Sequence, residues 1–323
     1  MRKACRDYSE KDTQGRKTIR CYTCNKKNTI GVKVRFNKKA TETQYTQFKE
    51  TVEIHTNATT NLISEKGFVY FDVLVDLQPI SVYQGDNYSV TIGTGANGLL
   101  HWDWVHNPHL LIVAETGQGK STFIRYLLSG LLSAENEVWI IDGKAIDYYQ
   151  YRSLFSRYIS NEVTNINDIL AFVHQFRLFM LKRQQDLKDL GITDYTEDPQ
   201  KQLKVKFLII EEYIVLLDCM NKKQREAFEE DIRAILLLGR ACGYDLIITM
   251  QRGDTAYIKG AMRDNFMCRL LLGSASDTSA RMMFDETVKG LELGQAWIKQ
   301  GNKLEVMAIP YFKEIMSDSN KTS

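Results

Sequence analysis

Leu110-Leu-Ile-Val-Ala114-Glu-Thr-Gly117-Gln-Gly119-Lys120-Ser121-Thr122 decides how this chain of 323 residues folds. Five apolar residues in a row read as a buried strand, the glycines as a tight turn, and the residues through about Leu132 as an amphipathic helix. Strand, glycine loop and helix in that order are the setting of a phosphate-binding loop. Gly117 and Gly119 let the backbone curl until successive N–H groups face the β- and γ-phosphate oxygens, and the helix aims its positive end at the same anion. Lys120 can reach those phosphates, and the Ser121 hydroxyl can hold Mg²⁺. The expected ATP-binding residues are Ala114, Glu115, Thr116, Gly117, Gln118, Gly119, Lys120, Ser121 and Thr122. Ala114 stands where such loops begin with glycine, which is acceptable if its φ stays negative.

Downstream, strands alternate with helices. Strands are expected at Glu137–Asp142, at Lys206 to Glu211, at Asp245–Met250 and from Cys268. Long helices are expected from Asn165 to about Leu190 and from Arg225 to Arg240. In the first of these Ile169, Phe172, Val173, Phe176 and Met180 share one face. That alternation predicts an α/β fold, a P-loop NTPase with a mostly parallel sheet. The strand Phe207-Leu-Ile-Ile-Glu211-Glu212 ends in two acids. After a phosphate loop, Glu211 is the candidate Mg²⁺ ligand together with Ser121, and Glu212 the candidate base that orients and deprotonates the attacking water.

Upstream the pattern is different. Gly31–Phe36 and Thr51–Thr56 alternate, Phe68–Leu77 is β-branched and aromatic, and Asn87–Ile92 adds a further strand. The expected organisation is a basic arm over 1–30, a small β-rich domain over 31–100, the ATPase domain over 101–312 and a tail over 313–323. The first 50 residues hold 14 Lys and Arg against 5 Asp and Glu, and the remainder 28 against 35. A basic front on an acidic body suits a polyanion or an acidic protein partner, or a solvated arm. Six scattered cysteines form no disulfide framework, and no apolar segment suggests a signal peptide or a membrane span, so a cytoplasmic protein is expected. Cys5, Cys21 and Cys24 lack a nearby fourth zinc ligand, the next candidate being His55, so free thiols are expected there, with a zinc site as the alternative. His101, His106 and His109 fit no metal spacing, and Trp102 and Trp104 read as packing, with stacking on adenine as the alternative.

Further residues carry a resemblance to the FtsK/SpoIIIE family of DNA-translocating ATPases, over about residues 100 to 312. Asn107-Pro108-His109 leads into the phosphate loop as in that family, and Ile141-Asp142-Gly143-Lys144 is similar to its Asp-Pro-Lys stretch. Gly239-Arg240-Ala241-Cys242-Gly243 before Leu246–Arg252 resembles its Arg-Ala-Ala-Gly segment and Thr-Gln-Arg strand end. Cys268-Arg269, Ser279-Ala280-Arg281 and Gly294-Gln295-Ala296 follow in order. The resemblance implies a RecA-like motor in a hexameric ring, from which this chain is expected to depart as a short form with neither membrane helices nor a winged-helix module. Gln251 would be the sensor of γ-phosphate or attacking water, and Arg269 the finger offered to a neighbouring subunit, with Arg240 and Arg252 as its substitutes. A hairpin turning at Gly301-Asn302 places Lys299 and Lys303 for contact with the backbone of double-stranded DNA, with Arg281 as a further candidate.

The resemblance thus implies an ATP-dependent DNA translocase serving a plasmid or an integrative or conjugative element, with transfer or replication proteins as partners and recruitment to the membrane by one of them. A coupling ATPase for conjugation and a helicase-like accessory for replication are alternatives within the motor class. From another class comes a nucleotide-switched DNA-binding adaptor.

Overall fold

The computed structural model describes residues 88–310 except 97, 162–164, 201 and 275, together with Thr46 and four strand segments between residues 20 and 76. The chain divides into two compact units between Ser81 and Val82. In the first, β1 (Arg20–Lys26), β2 (Thr29–Arg35), β3 (Thr59–Glu65) and β4 (Phe68–Asp76) form an antiparallel sheet in the order β1-β2-β4-β3. The expected β character of this part holds, although residues 20–26, assigned to a loose arm, are a strand paired with β2. The expected strand at Thr51–Thr56, the arm before residue 20 and the tail after 312 lie outside the described residues.

The second unit is built on a sheet of ten strands. Six are parallel, in the spatial order β12 (Cys268–Leu272), β7 (Leu110–Ala114), β11 (Tyr244–Met250), β10 (Lys206–Ile210), β8 (Glu137–Asp142) and β9 (Arg157–Ser160). β7 and β12 are buried at every position, which is why β7 reads as an unbroken apolar run and β12 as one broken only by Arg269, rather than as alternating strands. Beyond β12 the sheet continues antiparallel through β13 (Gln295–Gln300), β14 (Lys303–Ala308), β5 (Ser89–Gly95) and β6 (Gly98–Asp103). The expected domain boundary near residue 100 therefore moves upstream, because β5 and β6 complete this sheet. A strand's alternation shows that it pairs but not with which sheet.

Helices α1 (Lys120–Ser133), α2 (Ile166–Leu190), α3 (Tyr213–Asp218), α4 (Lys222–Cys242), α5 (Gly260–Arg263) and α6 (Asp277–Phe284) complete the unit. Asn165 caps α2 by accepting the Asn167 N–H, and α2 buries Ile169, Val173, Phe176 and Met180. Asn221 and Gln224 form a reciprocal capping box at the start of α4, three residues ahead of the helix start expected at Arg225. Trp104 meets Trp102 and Phe207 edge to face inside the core, and Trp102 Nε1–H donates to the Asn107 carbonyl. Both indoles are packing residues, closed to a nucleotide base. Among the described residues no helix is long and apolar enough to cross a membrane.

Candidate nucleotide site

β7 ends at Ala114, still in extended strand, so the alanine meets no backbone strain. The chain then turns through Gly117 at φ 82° and Gly119 at φ 86°, conformations that side chains rarely adopt. Gly119 is the N-cap of α1, and its side-chain-free backbone leaves the first N–H groups of that helix facing the loop. Gln118 reaches out of the loop, where its Oε1 accepts the Ser274 N–H at 3.3 Å.

The acidic strand end lies beside this loop. β10 is flanked by β8 and β11, so Glu211 and Glu212 emerge between two parallel strands and both are fully buried. Glu211 N–H donates to the Ile141 carbonyl at 3.0 Å, and Glu212 N–H to Thr249 Oγ1 at 3.2 Å. Glu212 takes φ 56°, a strained turn that swings its carboxylate toward Lys120. Lys120 Nζ lies 3.2 Å from Glu211 Oε1 and pairs with Glu212 Oε1. Lys144 Nζ donates to Glu212 Oε1 at 2.9 Å, and Gln251 Nε2 donates to the same oxygen at 3.3 Å. Gln251 Oε1 in turn accepts from Thr116 Oγ1 at 3.3 Å. Gln251 thus bridges the phosphate loop and the second acid.

Burial pushes the Glu211 carboxyl up and the Lys120 ammonium down, and the attraction between the two opposes both shifts. Among the described residues Glu211 Oε2 accepts no hydrogen bond, and Oε1 meets Lys120 Nζ. A buried carboxylate of this kind calls for a cation, and a hard oxygen donor set with Ser121 suits Mg²⁺. The residues fit a nucleoside triphosphate with Mg²⁺: a helix N-terminus and Lys120 for the phosphates, Ser121 and Glu211 for the metal.

Three contributors were not assigned roles from sequence. Lys144 meets Glu212 across 68 residues of chain. Asp147 Oδ2 accepts the Ser121 hydroxyl at 3.2 Å. Asp142, buried at the end of β8, accepts the N–H groups of Lys144, Ala145 and Tyr148 and so fixes the loop that carries both. The sequence signal was the Asp142-Gly143-Lys144 stretch, which marks the loop without showing where it points.

Arg269 is put to a different use from the one expected. Its Nε–H donates to the Phe266 carbonyl at 2.9 Å and its Nη1–H to the Met283 carbonyl at 3.0 Å. The buried guanidinium ties β12 to the end of α6 and is not held out toward a neighbour. Its strand register, beside Leu111, also sets it toward the end of the sheet opposite the phosphate loop. Arg281 is exposed on α6, and Arg240 and Arg252 are exposed as well. Lys299 and Lys303 flank the Gly301-Asn302 turn as expected, Lys299 half-buried and Lys303 exposed beside Glu305. No group of three or more His, Cys, Asp or Glu suited to a metal ion occurs among the described residues, and the Cys21 and Cys24 side chains lie outside them.

Comparison with known proteins places this geometry. YdcQ of Bacillus subtilis strain 168, an FtsK-domain-containing protein, is 28% identical over 232 residues, 70% of this chain and 46% of that protein. DNA translocase FtsK of Chlorobaculum tepidum is 28% identical over 210 residues, 61% of this chain and 26% of that protein. The chain spans less than half the length of these relatives. The pCW3 conjugation coupling protein TcpA, solved with ATPγS, superposes with a TM-score of 0.64 at 20% identity, over 97% of this chain and 94% of that one. EssC (ATPases 2 and 3) of Geobacillus thermodenitrificans gives 0.61 at 17% identity, over 75% of this chain and 49% of that one. These neighbours establish the expected α/β P-loop ATPase fold. The FtsK/SpoIIIE family matches residues 83–287, well over half of the chain, and because that span takes in the loop, both acids and Gln251 together, the chain belongs to the FtsK/SpoIIIE family.

Proposed function

We propose that this chain hydrolyses ATP and uses the turnover to move double-stranded DNA, as one subunit of a ring. The convergence of Lys120, Lys144 and Gln251 on the single Glu212 carboxylate beside the phosphate loop carries this reading. Lys120 and the N-terminus of α1 bind the phosphates, while Ser121 and Glu211 would hold Mg²⁺, which would supply charge neutralisation for phosphoryl transfer. Glu212 orients the attacking water and takes its proton, and Gln251 reports the γ-phosphate to the loop through Thr116. With Arg269 committed to main-chain carbonyls, a neighbour's site would be completed by an exposed arginine, Arg240 or Arg252.

A hexamer, a cytoplasmic location with recruitment to the membrane by a partner, and service to a plasmid or integrative element belong to the same proposal. Its support is the family and the likeness along both chains to TcpA, a conjugation coupling protein. ATP turnover by the full chain, measured with no DNA, with duplex and with single strands, tests it. Turnover raised by duplex supports the translocase; turnover raised only by single strands favours a coupling ATPase. ATP binding that DNA never converts into turnover supports a nucleotide-switched adaptor instead.

A further inference from the structure

We infer that Asp147 is the proton acceptor that holds the Ser121 hydroxyl with its lone pairs toward the nucleotide's metal ion, and so sets this site's affinity for Mg²⁺. The inference rests on the nucleotide reading above and adds a residue to it. A serine hydroxyl has one proton to give and two lone pairs. Here the proton goes to Asp147 Oδ2 at 3.2 Å. Had it gone to Glu211, the hydroxyl and the buried carboxylate would satisfy each other and neither would face a cation. Instead Glu211 Oε2 accepts no hydrogen bond, Oε1 meets Lys120 Nζ at 3.2 Å, and the lone pairs of Ser121 Oγ are not spent on the carboxylate that takes its proton. Oxygen donors left open in this way suit a hard divalent ion.

Asp147 is itself held in place. Arg125, one turn beyond Ser121 on α1, sets its Nη2 4.0 Å from Asp147 Oδ1 and draws the other oxygen of the carboxylate. The neighbouring Tyr148 is buried and its N–H is accepted by Asp142 Oδ2 at 3.1 Å, so the loop is anchored on both sides of the Lys144–Tyr148 stretch. Asp147 therefore acts on the metal through Ser121, as a positioning residue.

Binding of ATPγS to the full chain decides the matter, measured in excess EDTA and across a Mg²⁺ titration for the parent, Asp147→Ala, Ser121→Ala and the double variant. An outer partner of a metal ligand is worth roughly ten-fold or more in metal affinity. The expected result is a Mg²⁺ half-saturation raised about ten-fold in Asp147→Ala, with affinity in EDTA within about two-fold of the parent. Ser121→Ala should shift alike, and the double variant no further, because both changes remove one interaction. An unchanged Mg²⁺ requirement in Asp147→Ala, a parallel fall in EDTA, or additive shifts in the double variant overturns the inference. Lys120→Ala separates it from the reading beneath: if that variant binds ATPγS in EDTA as the parent does, the phosphate-loop assignment fails first, and the role of Asp147 with it.

Discussion

His109 and Asp245 meet in the interior with no water-facing surface to spare. His109 N–H donates to Asp245 Oδ1, ring Nδ1 accepts the Leu246 N–H, and ring Nε2–H donates to the Leu236 carbonyl, each at 3.1 Å. Those partners suit a neutral ring, and burial brings its pKa from 6.5 down to about 4. Burial raises Asp245 from 3.8 to about 7. Between pH 4 and 6.5 the unfolded chain carries one proton on the histidine and the native chain one on the aspartate. Equal proton counts mean that the pair adds no pH slope to stability in that window. Asp245→Asn removes the compensating acid. The depressed histidine then acts alone, and stability present above pH 6.5 is lost toward pH 4 at up to about 1.4 kcal/mol per unit. Urea unfolding of variant and parent over this range checks it; a constant difference between them would show that the two groups are not linked. At the catalytic end, Glu212→Gln keeps the shape of the carboxylate and discards the base. It should bind ATP as the parent does and turn it over at least about 100-fold more slowly, whereas Lys120→Ala loses binding; parent-rate hydrolysis by Glu212→Gln moves the base elsewhere.

Among the elements, the close packing of β8 against β10 is what aims the acids. A Cβ on Gly143, just past β8, would sit 2.3 Å from the Glu211 carbonyl oxygen and 3.2 Å from Glu212 Cβ. Gly143→Ala must therefore separate the two strand ends, at about 1–3 kcal/mol of stability. Because Glu212 is displaced along with its backbone, turnover should fall further than nucleotide affinity. Denaturant midpoints and single-turnover rates together test this, and an alanine variant with parent turnover would show the acids to be placed independently of β8. The strand, loop and helix around Lys120 were legible because their signals are local: an apolar run, two glycines, an amphipathic period. So was the acidic strand end. Asp147 and Lys144 were not, because they reach Ser121 and Glu212 through the order of strands in the sheet, and sequence spacing does not encode that order. Arg269 shows the same limit from the other side. Residue type and motif suggested a projecting cation, but only the packing of α5 and α6 shows its fork closed on carbonyls.

Across the whole second unit, the phosphate loop and the hairpin sit at opposite ends of the same strands. β12 pairs Leu272 with Ala114 at the phosphate-loop end, while Cys268 pairs with Leu110 and, on its other side, with Gln300 next to the hairpin turn. Four residue steps along β7 separate the two ends by about 13 Å. On the proposed reading ATP would lie at one end of the sheet and Lys299 and Lys303 would meet DNA at the other, with β7, β12 and β13 as the connection. Lys303 is 61% exposed and its partner Glu305 lies on the same strand, so little binds it in place. Replacing Lys299 and Lys303 together by Gln should leave DNA-free ATP turnover unchanged and weaken stimulation by DNA of any sequence. Each phosphate that is no longer neutralised lowers the salt slope of log affinity by about 0.9 on duplex and about 0.7 on single strands. If both lysines touch phosphate, the slope should therefore drop by about 1.8 on duplex and about 1.4 on single strands. Titrating the stimulation against salt on both substrates reads the strand type and the number of phosphates engaged at once. A double variant whose slope matches the parent on both takes DNA off the hairpin, and leaves Arg281 on α6 and the basic first 50 residues as the surfaces to alter next.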